Sequence, residues 1–401
     1  MAAATQGSRR RQCDRKVSSS RLPDRTRAIF WLYGLGIGGA ERQAVAFAKY
    51  LREVRDFDVQ VWAFEEGGGT PHALDAEGIP LRSVPIWPSQ VRVPELIRAS
   101  LRAAFALKKA KVDVILPYMT PANILCCSSW RLTGAMTCVW NQRNGGIERF
   151  HLAAERFAAH RAPILVANSE QGGNYLVDGL GARRDRVHVI RNAALVDPPR
   201  DDRAAWRSRL GVSDSAFVVT MVANLHRWKD HETLLRSWAV VCAELEEELL
   251  LVLAGNRGET FEELERLTVD LEISQRVLFL GLVSDVAGLL AASDASVLLN
   301  RMEEGEGCPN AIIESMVTGL PVVASDIGGS REVLGPDLKA WLAPPLDVRA
   351  VADRLLALAR NDELRKKVGE TARRRALTEM SKEATFGRYA ELLGKIVNDE
   401  S

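Results

Sequence analysis

The chain has 401 residues, enough for about two domains, and its 47% apolar and 26% charged residues are those of an ordinary globular protein. No apolar run reaches the roughly 18 residues that a membrane-spanning helix needs, and 53 Lys and Arg against 52 Asp and Glu leave no nucleic-acid footprint. Six cysteines with neither a C-x-x-C nor a paired histidine spacing argue against a zinc site and a disulfide framework, and fit a reducing cytoplasm.

The charge is uneven along the chain. Residues 1–200 hold 29 Lys and Arg against 18 Asp and Glu, and the remainder 24 against 34. Residues 1–27 read as a disordered basic tail without the apolar core of a secretory signal. Strand-like runs at 28–33, 58–64, 112–118, 137–141, 164–168 and 187–191 then alternate with helical periods at 40–51, 94–111, 121–132, 148–160 and 170–179. That alternation signals a parallel α/β sheet. Residues 191–202, with two prolines and no periodicity, form a linker. A second series follows, with strands at 218–224, 249–254, 277–280, 295–299 and 322–325 among helices at 230–244, 259–271, 283–292 and 348–360. The expectation is two Rossmann-like domains, 28–195 and 196–378, with a ligand cleft at the carboxyl ends of both sheets.

Three features of the first half bear on chemistry. Gly34, Gly36 and Gly39 spell G-x-G-x-x-G between the first strand and first helix, and Glu65 or Glu66 closes the second strand. This pattern keeps open an NAD-dependent oxidoreductase, although glycines here also serve any phosphate that backbone amides must approach closely. Asp56-Phe57-Asp58 resembles a metal motif but precedes a strand, where ligand-facing residues should follow one. The helix at 94–111 carries Leu96, Ile97, Leu101, Phe105 and Leu107 beside Arg98, Arg102, Lys108, Lys109 and Lys111. It suits peripheral contact with an anionic membrane as well as plain sheet packing.

The most informative stretch is 303–334, E-E-G-E-G-C-P-N-A-I-I-E-S-M-V-T-G-L-P-V-V-A-S-D-I-G-G-S-R-E-V-L. Pro309-Asn310 marks a helix start, because proline's missing N–H costs nothing in a first turn. The free amides of a helix at 310–317 then face the loop 305–308 and attract an anion. Glu306 lies in that loop and Glu314 inside the helix. Ionised carboxylates accept hydrogen bonds only, so two of them beside an anion site suit a nucleotide sugar.

E-G-C-P-N-A-I-I-E is similar to the E-x7-E element of family-4 retaining glycosyltransferases, and the likeness runs through most of 28–395. The resemblance implies a GT-B fold, a final helix over about 382–398 crossing back to the first domain, and transfer without a metal or other cofactor. It places Glu306 near the donor sugar, Glu314 on the ribose diol, and Gly307 and Asn310 at the same donor site. From G-G-A-E-R-Q it puts Gly38 and Gly39 at the diphosphate. In V-V-T-M-V-A-N-L-H-R-W-K, Lys229 matches a phosphate-binding lysine, whereas Asn224 stands where the family has an arginine. Arg227 offers a replacement guanidinium from the same loop. The segment 281–285, with Val283 and Asp285, corresponds to the wall against the nucleobase. Tyr118 and the pair Arg143-Asn144 end first-domain strands and would steer the acceptor or the leaving phosphate. The partners implied are a nucleotide sugar, a UDP-sugar above others, and a saccharide or lipid-linked acceptor. A catalytically silent binding protein of the same fold is the remaining alternative.

Overall fold

The computed structural model describes residues 25–34, 38–65, 78–146, 150–301 and 306–399. The expected tail falls outside them except at 25–27, where the first strand already begins. Two sheets form, and every strand pairing in both is parallel.

The first sheet contains β1 (Arg27–Leu32), β2 (Asp58–Ala63), β3 (Leu81–Ser83), β4 (Val114–Pro117), β5 (Thr137–Gln142), β6 (Ile164–Ala167) and β7 (Val187–Val189), in the order β3-β2-β1-β4-β5-β6-β7. The second contains β8 (Phe217–Val222), β9 (Leu249–Ala254), β10 (Val277–Gly281), β11 (Ala295–Leu298), β12 (Val322–Ser325) and β13 (Leu342–Ala343), in the order β10-β9-β8-β11-β12-β13. Both are doubly wound. Their strand order reverses between β1 and β4 and between β8 and β11, and ligands of such sheets sit outside the strand ends at those points.

Near-continuous apolar runs make the central strands, because helices cover both faces of a parallel sheet. Phe30 and Trp31 are both fully buried, on opposite faces of β1. The Phe30 side packs on helix Gly39–Arg55 through Phe47. The Trp31 side meets Trp62 and the helices Val93–Ala110 and Thr120–Ser129.

Three helices escape sequence periodicity. Arg203–Leu210 follows directly on the linker and is capped by Asp202, whose carboxylate accepts from Ala205 N at 2.8 Å. Its Arg207 is 1% exposed and donates to the carbonyls of Ser213, Ala216 and Ala292, so a charged residue occupies a core position. Gly328–Leu334 is a bare two turns. Asp362–Glu379 buries only Val368, Gly369, Ala372 and Ala376, a stripe too small to stand out.

The chain returns to the first domain at Met380, whose carbonyl accepts from Ala194 N of the linker at 2.7 Å. Helix Lys382–Asp399 then lays Phe386 and Tyr389 on Phe47, the second pair stacked at 4.5 Å between ring centres. This is the expected crossover, and it makes Tyr389 part of the first domain's core.

Candidate active site

The two reversal points face each other across one interdomain cavity of about 370 Å³, within the roughly 300–1,000 Å³ usual for ligand pockets. From the first domain it is lined by Gly39 after β1, Met119 after β4, Arg143 after β5 and Asn168 after β6. From the second come Ala223 after β8, Leu298 of β11, Lys229, Glu306 and Asn310. A larger hollow of about 590 Å³ lies between helices His231–Glu244 and Phe261–Asp270. Two of its three arginines are already neutralised, Arg227 by Glu259 and Arg301 by Asp230 and Glu232, and the third, Arg266, donates to the Glu262 carbonyl of its own helix.

Lys229 and Glu306 come together in the cavity as an ion pair, each about a quarter exposed. Helix Asn310–Val317 begins where the sequence predicts, with Pro309 in the extended conformation as its cap. Asn310 joins the two domains. Its Nδ2 donates to Gly39 O at 3.3 Å, and its Oδ1 accepts from Gln43 Nε2 at 3.3 Å and from Asn192 Nδ2 at 2.8 Å. Gly39 allows that approach, since a Cβ there would stand 2.6 Å from Asn310 Nδ2. Gly38 caps the same first-domain helix from an extended conformation. Gly307 is buried between Asn168 and the backbone of Gly329. Cys308 is buried too; burial pushes its thiol up to about 12, so it is no nucleophile.

Arg143 is the second cation of the cavity. Its guanidinium lies over the Tyr118 ring at 4.6 Å, donates from Nη2 to Asn141 Oδ1 at 2.8 Å, and sits 3.5 Å from Asn192 Oδ1. All three neighbours are neutral, and its Nε is buried without a partner among the described residues. Asn141 is itself fixed by the Tyr389 hydroxyl, which donates to the same Oδ1 at 2.6 Å. A half-buried charge without a neutralising partner is costly, and Arg143 has none among the described residues, so this geometry favours an anion in the cavity. Asn168 Oδ1 is also buried and without a donor among the described residues, while its Nδ2 donates to Arg143 O. Met119 holds φ 71° and ψ 156° as it enters the next helix, a conformation that side chains rarely adopt.

Several sequence expectations give way here. Arg227 is 76% exposed and paired with Glu259, and it does not line the cavity, whereas the guanidinium of Arg143 from the opposite domain does. Asn224 does not line the cavity; its Oδ1 accepts from Asn256 N and closes a loop. Asp285 is a structural cap, accepting from the backbone of Arg200, Asp201 and Gly288 and from Trp206 Nε1 at 2.8 Å. Val283 packs beside it against the core under Trp206. Glu314 is buried, and its carboxylate meets Arg42 Nη2 of the first domain at 2.9 Å. Burial raises its pKa and Arg42 pulls it back. Tyr118, 1% exposed, supports Arg143 from below. Asn144 shapes the turn, accepting from Gln142 Nε2 and Gly146 N. Of the glycine pattern, Gly36 lies outside the described residues, as does Glu66.

Asn168, Asn192, Gln43 and Arg42 go unmarked in the sequence reading. Asn168 ends one strand-like run and Asn192 directly follows another, the one signal that could have raised them.

Two Rossmann-like domains around a shared cleft, tied by a returning helix, define a GT-B protein. The model "Glycosyltransferase Family 4" matches residues 37–195, and "Glycosyl transferases group 1" matches 202–375. The chain belongs to the family-4-like glycosyltransferases of GT-B fold. It is 29% identical over 199 residues to N-acetyl-α-D-glucosaminyl L-malate synthase of Bacillus anthracis, covering 50% of this chain and 51% of that protein. It is 24% identical over 316 residues to the UDP-Gal:α-D-GlcNAc-diphosphoundecaprenol α-1,3-galactosyltransferase of Escherichia coli, covering 75% and 79%. In the first of these matches the chain spans about half of the relative's length. HepE of Anabaena, solved in complex with UDP, superposes with a TM-score of 0.77 at 22% identity, over 92% of this chain and all of that one. With both halves matching glycosyltransferases, the oxidoreductase alternative loses its support.

Proposed function

We propose that the protein transfers a sugar from a nucleotide-diphosphate sugar, a UDP-sugar above others, to a saccharide or lipid-linked saccharide in cell-surface glycan or polysaccharide synthesis. Transfer retains the anomeric configuration and uses no metal or other cofactor. The observation that carries the reading is the convergence of Lys229, Arg143 and the Asn310 helix terminus on one cavity beside Glu306. Breaking the sugar–phosphate bond builds negative charge on the leaving diphosphate, and preorganised cations and amides stabilise that charge selectively. Lys229, Arg143 and the amides at Gly38-Gly39 and Asn310 take this role. Glu306 exchanges Lys229 for the sugar hydroxyls when the phosphate claims the lysine. Glu314 holds the ribose diol once Arg42 withdraws.

Retention follows a front-face course, in which the leaving diphosphate accepts the acceptor's proton; the cavity's other carboxylate, Glu41, folds back over Gly38 at the start of its own helix, and burial raises its pKa. The Asn310–Gly39 contact closes the domains over the site and excludes water. The relative named for a diphosphoundecaprenol acceptor supports a lipid-linked partner.

No helix among the described residues is long and apolar enough to cross a membrane. Helix Val93–Ala110 exposes Val93, Ile97, Leu101 and Phe105 among Arg98, Arg102, Lys108 and Lys109, which suits peripheral contact with an anionic cytoplasmic leaflet. A metal-free thermal-shift and donor-hydrolysis screen of UDP-, GDP- and ADP-sugars tests the reading with wild type and Glu314→Gln. Stabilisation by one nucleotide sugar, weakened in the variant, is expected; indifference to all three classes refutes it.

A further inference from the structure

Four aromatic rings form a chain along the carboxyl edge of the first sheet, outside the cavity already described. Tyr33 follows β1, Phe64 follows β2, Trp87 lies in the connection after β3, and Phe150 precedes helix Leu152–Arg161. Ring centres stand 6.3 Å apart for Tyr33–Phe64, 5.9 Å for Phe64–Trp87, 6.4 Å for Tyr33–Trp87 and 6.0 Å for Trp87–Phe150. Phe64 is buried and anchors the group, Tyr33 and Trp87 are half-buried, and Phe150 is 39% exposed. A polar end completes the patch. The exposed Glu65 carboxylate lies beside the Tyr33 hydroxyl and also approaches the backbone at Gly34.

We propose that Tyr33, Trp87 and Phe150, with Glu65, are the subsite for a pyranose ring of the acceptor; this rests on the glycosyl-transfer reading above. Three arguments converge. A pyranose presents a face of C–H groups and an edge of hydroxyls. Aromatic faces carry negative charge density that meets the former, and a carboxylate accepts from the latter. A hydrocarbon chain would have no use for Glu65 at the end of the patch. The spacing also fits. Met119 and Gly39 line the donor cavity from the ends of β4 and β1, and β1 neighbours β2. Neighbouring strands run about 4.8 Å apart, so the patch, at the ends of β1 and β2, begins within about one strand width of the cavity, about the breadth of one sugar ring.

Saturation-transfer NMR on the full chain tests this, with UDP present and methyl α-D-glucopyranoside, methyl β-D-galactopyranoside and methyl N-acetyl-β-D-glucosaminide as probes. At least one glycoside should receive saturation at its ring C–H protons. Glu65→Gln should weaken that binding by about tenfold, the worth of one hydrogen bond to a charged group. Tyr33→Ala should abolish it, and Tyr33→Phe should weaken it without abolishing it, while all three variants keep UDP signals that certify the fold. The proposal fails if no glycoside binds while UDP does, if binding survives both Glu65→Gln and Tyr33→Ala, or if octyl glucoside is saturated along its chain and not its ring. A wild type that binds glycoside but not UDP sinks the donor assignment and leaves the subsite standing. Binding of neither sinks both.

Discussion

Replacing Arg143 should damage the site more than replacing Arg227, the reverse of what the sequence suggests. Arg143 lies in the cavity with three neutral supports, the Tyr118 ring and the Asn141 and Asn192 amides, so its charge is available to a phosphate. A hydrogen bond to a charged group is worth about 1.5–3 kcal/mol, and losing one weakens UDP binding by roughly 10–150-fold. Arg227 is 76% exposed and shares Glu259 with His226. Exposed pairs contribute about 0–1 kcal/mol, so Arg227→Ala should alter UDP affinity by no more than a few-fold. Arg143→Lys should fall between, keeping the charge but losing the planar fork. Isothermal titration with UDP gives the three affinities, and circular dichroism checks that each variant is folded. The reasoning is refuted if Arg227→Ala costs more than Arg143→Ala, or if folded Arg143→Ala binds UDP like wild type.

Asp285→Ala removes the acceptor of four hydrogen bonds; about 2–4 kcal/mol of stability should be lost, with UDP affinity unchanged. Weaker UDP binding at unchanged Tm would instead return Asp285 to the donor site. His231 is buried neutral, its pKa pushed down to about 4 by burial. An imidazole titrates near 6.5 when unfolded, so its stability contribution is complete above about pH 6.5 and erodes by roughly 3 kcal/mol as pH falls to about 4. His231→Gln should flatten that acid limb in urea titrations, and an unchanged limb would exonerate His231. Gly39→Ala should leave Tm near wild type, because alanine suits a helix, yet weaken UDP binding about tenfold by pressing on Asn310; wild-type affinity would show that the domain contact plays no part in binding.

The alternation of apolar runs and helical periods gave away both sheets, because a parallel strand covered on both faces must be apolar throughout. It missed β3 and β13, which are two or three residues long and lie at sheet edges. It also missed the helix Arg203–Leu210, whose buried face includes an arginine. Within the site, Glu306, Lys229 and Asn310 were legible because each sits in a local pattern. Which way Arg227 and Asp285 turn was not. That is decided by Glu259 and Trp206, residues 32 and 79 positions away. Asn192 meets Asn310 across 118 positions, and no local pattern in either segment announces such a pairing.

The tie between Tyr389 and Asn141 sets a clock on the nascent protein. The two residues lie 248 positions apart, and Asn141 is what aims Arg143. At roughly 5–20 residues per second, synthesis separates them by about 12–50 s. For most of that interval, from the end of β7 at Val189 onward, the first domain has all its strands but lacks the hydroxyl that locks Asn141, and Phe47 still lacks its stacking partner. The support of Arg143 is thus completed late in translation, when helix Lys382–Asp399 docks, so a stalled or clipped chain is left with a loosely held arginine.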